Sequence, residues 1–221
     1  MSKKALQRNC QSGMTRRRVA ASFRATAVGP TLWDIAEWSD ASAAKAKADQ
    51  FIFRNRTGLD SGRLRALFLE AVAGWPTGGL SVLVRYSRGS EFSGACYYKS
   101  SRIFVNIGRG NTYPYRLMTY VAAAKATRFG WRREAYSLEL GNAYELALFI
   151  FLHEFYHWLV KRAGRNTRQK EGMCDRFAAR VLIDRHGAVL RDRDGVVVDR
   201  PSWDFQDLEG FVEKARVAGP A

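Results

Sequence analysis

Apolar positions along the chain change their period three times, and each change marks a change of element. From Thr31, whose hydroxyl can cap a short helix, Leu32, Trp33, Ile35 and Ala36 follow at helical spacing, and a second helix is expected over 42–54. Asp60 or Ser61 can cap a third, with Leu64, Leu67, Phe68, Ala71 and Val72 along one face and Gly74 just past its end. The period then drops to two. Leu80, Val82 and Val84 alternate, as do Ile103, Val105 and Ile107, and Ala95 to Lys99 reads as a further short strand between Gly/Ser turns. A helix is expected near 114–128, stopped by Gly130.

Beyond residue 142 the helical period returns. Leu146, Phe149, Ile150, His153, His157 and Val160 stand at i, i+3, i+4 spacing, with Gly164 as the C-terminal cap of one long, largely buried helix. A basic loop (Arg165, Arg168, Lys170) leads to a helix over about 171–185, with Phe177, Ala178, Val181 and Leu182 on its apolar side. Asp194-Gly195 reads as a hairpin turn, and a last helix capped by Ser202 carries Phe205, Leu208, Phe211 and Val212. Strands followed by helices predict an α+β domain: a small mixed or antiparallel sheet packed on the long helix.

A chain of 221 residues suits one domain with a tail, and 47% hydrophobic residues suffice for a sizeable core. That balance excludes global disorder and collagen-like repeats. Three scattered cysteines, Cys10, Cys96 and Cys174, exclude a disulfide framework and a Cys-x-x-Cys metal clip, so a reducing compartment is the simpler expectation. The longest apolar run, Leu146 to Leu152, is too short to span a membrane. The net charge of +15 predicts attraction to polyanions. Residues 1–33 hold seven Lys/Arg and no acid, which leaves +8 on the remainder. Residues 1–30 therefore read as a basic, disordered tail and 31–221 as the folded domain. The expected location is cytoplasmic, with a mitochondrial transit peptide as the alternative reading of the basic N-terminus.

The chemistry concentrates at His153-Glu154-Phe155-Tyr156-His157. Residues four apart on a helix share a face, so both imidazoles can reach one Zn²⁺, which accepts nitrogen at about 2.0–2.1 Å and needs a third protein ligand. Glu154 is rotated about 100° from His153 and lies beside the ion, where it can take a proton from an activated water. A carboxylate in so apolar a run is costly unless it has such a role. The third ligand is expected downstream. Glu171 opens the next helix fourteen residues after His157, with Asp175 one turn later on the same face. Cys174 offers a thiolate as a competitor, and His186, the third histidine, is a further ligand or an oxyanion stabiliser.

The segment Glu171-Gly-Met-Cys-Asp175-Arg-Phe-Ala-Ala, following the His-Glu-x-x-His run, resembles the Glu-x-x-x-Asp/Asn-x-Phe-Ala signature of zincin metallopeptidases. The resemblance is to the gluzincin type, and especially to small bacterial ImmA/IrrE-like metallopeptidases, over about 35 residues, 150 to 185. It implies a zincin-like fold, Glu171 as zinc ligand, Asp175 as support for a zinc-bound histidine, and hydrolysis of peptide bonds with Glu154 as the base. The helix-turn-helix module that such relatives often carry is not found in this sequence.

That resemblance implies a protein or peptide substrate, added as an extended strand to the sheet edge before the active-site helix; Tyr97-Tyr98 and Ile103 to Ile107 are the segments expected there. Arg16-Arg17-Arg18 and Arg191-Asp-Arg193 are candidate phosphate contacts. The rival reading is a basic nucleic-acid-associated protein with a structural zinc, or a protease recruited to nucleic acid through its charge.

Overall fold

The computed structural model describes residues 51–128 and 130–217, so the expected tail, the helix at Thr31 and Arg16 to Arg18 lie outside the described residues. The fold is α+β, with small sheets and several helices. The first sheet is built from β1 (Ile52–Arg56), β2 (Ser81–Tyr86), β3 (Phe92–Tyr97) and β4 (Arg102–Ile107). Its order is β1-β2-β4-β3; β1, β2 and β4 run parallel, and β3 closes the edge antiparallel to β4. Helix α1 (Ser61–Ala71) makes the crossover from β1 to β2, with the Asp60 carboxylate accepting from the Arg63 amide at 2.6 Å, as the sequence predicts.

Of the helix expected over 42–54, residues 42–50 lie outside the described residues, and residues 52–54 belong to β1 instead. Phe51 and Phe53 explain why. Phe51 packs on Phe151 (ring centroids 5.7 Å) and Phe53 on Phe68 (5.9 Å), so residues two apart serve one cluster. An extended strand does this, whereas a helix would point them to opposite sides. Phe68 and Phe151 stack at 4.3 Å with planes 3° apart and tie α1 to the long helix.

The helix expected near 114–128 is replaced by strands β5 (Tyr115–Thr119) and β6 (Ala124–Thr127). The alanines at 122–124 and 126 favour a helix, but Tyr115, Leu117 and Thr119 are buried on one side with Arg116 exposed between them. That period-two burial decides for a strand. β5 pairs with β8 (Tyr136–Leu140), which pairs in turn with β9 (Val189–Arg191), all antiparallel. β6 forms a two-stranded ribbon with β7 (Gly130–Arg133). Gly195 takes φ 83° in the hairpin after β9, and Arg191 bridges Val197, as the Asp-Gly pair predicts.

Helix α2 (Ala143–Arg162) is buried continuously from Leu146 to Val160, because the first sheet, α1, α3 and the C-terminal segment enclose it. Asn142 caps its start by accepting from the Tyr144 and Glu145 amides. Gly164, at φ 70°, ends it: the Arg165 amide returns to Val160 O and the Gly164 amide to Lys161 O, both at 3.0 Å. Helix α3 (Glu171–His186) packs along α2 and stops at Gly187, φ 69°. The expected last helix begins later than Ser202, which lies in a 3-10 turn (Arg200–Ser202). Asp207 caps it, at the start of α4 (Leu208–Val212), and α5 (Lys214–Val217) follows. Among the described residues no helix is long and apolar enough to cross a membrane.

Candidate metal centre

The centre lies where α2, α3 and the edge strand β3 meet. One helical turn separates His153 and His157, whose ring centroids are 5.0 Å apart. Both residues are buried, as is Glu154 between them. The half-exposed Glu171 carboxylate bridges the pair from the start of α3: Oε2 is 3.3 Å from His153 Nε2, and Oε1 is 3.4 Å from His157 Nε2. Behind His153, Nδ1 is 2.8 Å from Asp175 Oδ1, while Asp175 Oδ2 accepts from the Tyr120 amide at 2.7 Å. An Nδ1–H donated to Asp175 leaves the Nε2 lone pair facing Glu171, as metal-ligating histidines require.

Cys174, fully buried, joins the group. Ligand atoms of His153, His157 and Cys174 lie within 4.8 Å of one another, so this buried set could hold a metal ion. The chain therefore brings together His153, Glu154, His157, Glu171, Cys174 and Asp175. It does not bring His186 there. That residue ends α3, fifteen residues from Glu171, which is about 22 Å of helical rise.

Two observations test whether the residues fit an ion. First, His157 Nδ1 is buried with no hydrogen-bond partner among the described residues, so only its Nε2 side, toward Glu171, holds the ring. Second, ligands at 2.0–2.1 Å around a tetrahedral ion stand about 3.3–3.4 Å apart, which matches both His–Glu171 separations and is long for a charged hydrogen bond. The donor set fits a metal ion held by the two imidazoles, with Glu171 and Cys174 beside them.

The electrostatics follow from burial and crowding. Burial pulls His153 down, but Asp175 and Glu171 outweigh it and hold its pKa well above the ordinary value. Burial opposes the charge on Glu171, yet the two histidines keep its carboxyl far below the usual range. Burial raises Glu154, with the histidines pulling the other way. Cys174 is raised by burial and by Glu171, Glu154 and Asp175 around it.

Sequence reasoning missed Gly94 and Tyr120 as parts of the centre. Gly94 on β3 lies directly against the Glu154 side chain. Tyr98, in the 3-10 turn after β3, bonds Thr167 through its hydroxyl and feels the charge of Glu154; burial pushes it upward. Of the segments expected to present a sheet edge, Tyr97 ends the edge strand β3, while Ile103–Ile107 is the interior strand β4. A small recess of about 30 Å³, room for about one water, lies beside Glu154 among Phe92, Leu117, Phe149, His153 and Asp175. No family model, curated protein or solved structure shows a match to this chain.

Proposed function

We propose that this protein is a zinc-dependent metallopeptidase with a zincin-like fold, in which His153, His157 and Glu171 hold the ion. The observation that carries the reading is the pair of 3.3 and 3.4 Å separations by which one carboxylate spans two imidazoles a turn apart. Bound there, zinc would polarise a carbonyl and bring the pKa of water toward neutrality. The chain's own residues do the rest. Glu154, buried and with no hydrogen-bond or ion-pair partner among the described residues, accepts the proton from water and returns it to the leaving amine. Asp175 holds the His153 ring and its tautomer, and Tyr120 holds Asp175. The edge strand β3, paired on one side only among the described residues, suits an extended peptide as its next strand.

A second reading rests on Cys174. With the thiolate as a fourth ligand, His153, His157, Glu171 and Cys174 would close the site, and the zinc would be structural. Burial and the neighbouring carboxylates raise the free thiol, so its ligation would release a proton, and metal analysis of Glu171→Ala beside Cys174→Ala separates the open from the closed site.

Glu154→Gln tests the proposal. Zinc content and melting should match wild type, while cleavage of a proteome-derived peptide library falls by about 10² or more. Equal cleavage by both proteins sinks the mechanism.

A further inference from the structure

Between Glu91 and Glu134 the chain holds no carboxylate and eight Lys/Arg residues. This span includes the edge strand β3 and the β6–β7 ribbon and is locally basic, with Glu134, Asp192, Asp194 and Asp199 lining the groove beside Lys125 and Arg132. Lys99, Arg116, Lys125, Arg132 and Arg133 are exposed along the span.

The ribbon carries a second anomaly. Trp131 is 70% exposed, the most exposed large apolar side chain among the described residues. Its register partner is Ala126, and the next pair on that face is Ala124 with Arg133, so the indole stands among small side chains and one cation. A core role would have buried it, and a ribbon needs no tryptophan for pairing. Lys125 and Arg132 sit opposite each other on the other face, with Glu134 accepting from Lys125 at 3.0 Å. Arg133 shares the Trp131 face and anchors it. Its guanidinium donates to Tyr120 O at 3.2 Å and lies over Gly172, next to Glu171. The indole face thus opens on the side of the ribbon that meets the start of α3.

We propose that the β6–β7 ribbon is a docking surface for single-stranded nucleic acid, with Trp131 stacking on an unpaired base and the surrounding Lys/Arg taking the phosphates. Positive charge supplies affinity without sequence, and an aromatic face among those charges serves bases that are not already stacked in a duplex. An acidic polypeptide has no use for the ring, and an anionic membrane is the outcome that vesicle binding reads. The inference stands apart from the zinc chemistry, since no ribbon residue is a proposed ligand.

The test is anisotropy with a labelled oligothymidylate and the full chain, read across salt concentrations. Overall affinity does not discriminate, because residues 1–33 add seven basic groups. The Trp131 effect does. Trp131→Ala should weaken binding about tenfold, with Trp131→Phe recovering part of it, and intrinsic fluorescence of the wild type should quench on binding. Lys125→Ala with Arg132→Ala should reduce the slope of log affinity against log salt by about 1.4. Zinc content and melting should be unchanged throughout. Unchanged affinity of Trp131→Ala, equal binding of a duplex, or vesicle binding without oligonucleotide binding would each overturn the proposal.

Discussion

Gly94 on β3 and Glu154 on α2 share a space that admits only one side chain: a Cβ on Gly94 would come within 2.8 Å of Glu154 Cγ and 2.9 Å of Cδ. The strand thus sets the position of the proposed base through the side chain it lacks. Gly94→Ala should leave the sheet in place and force Glu154 to turn. Activity should fall by about 10², the usual effect of misplacing a reacting group by about 1 Å, with zinc content unchanged. Peptide-cleavage rates beside metal analysis check this; full activity would mean that Glu154 has room to spare.

Asp175 bears on metal affinity. Asn at this position keeps its size but loses the charge that steadies His153, while the Tyr120 amide still has an acceptor. Asp175→Asn should therefore weaken zinc binding about 10–100-fold in a chelator competition, with the fold intact by circular dichroism.

The third ligand can be read directly. Glu171→Ala should abolish stoichiometric zinc, since its carboxylate faces both Nε2 atoms, whereas Cys174→Ala should keep it. The reverse result in elemental analysis would transfer the ligand to the thiol and favour the closed, structural site.

Tyr136 gives an alkaline signature. Burial first, then its hydrogen bond to Glu134, pushes its phenol up to about 12 from 10. The folded state therefore holds the proton more tightly than the unfolded chain. The stabilisation is complete below pH 10 and is lost as pH rises through about 12. Tyr136→Phe should show a shallower loss of melting temperature than wild type across that window; parallel curves would rule the assignment out.

The centre was legible where its logic is local. His153 and His157 stand one turn apart on one face with Glu154 rotated beside them, and Glu171, Cys174 and Asp175 stand at i, i+3 and i+4 of the next helix, so periodicity alone groups each set. Caps at Asp60, Gly164 and Gly187 mark where three helices begin or end. Gly94 and Tyr120 could not be read this way, because each reaches the centre from a strand or loop more than fifty residues distant. The segment from Tyr115 to Arg133 was misread for a related reason. Its alanines speak for a helix, whereas its partner β8 lies further along the chain, and pairing overrode propensity. Trp131 carried no warning of exposure, since an apolar residue in sequence does not say which way a ribbon faces.

Helix α2, enclosed along fifteen consecutive residues, has a consequence for synthesis. The first sheet and α1 leave the ribosome before α2, but α3 and the C-terminal segment come later. Tyr156 donates to Leu208 O at 2.9 Å, and the buried Trp203, Leu208 and Val212 follow about fifty residues after the helix. At about 5–20 residues per second, Tyr156 waits several seconds for that cover. A nascent chain paused before residue 208 would present this side of the helix bare, which makes the interval the natural moment for a chaperone to hold it.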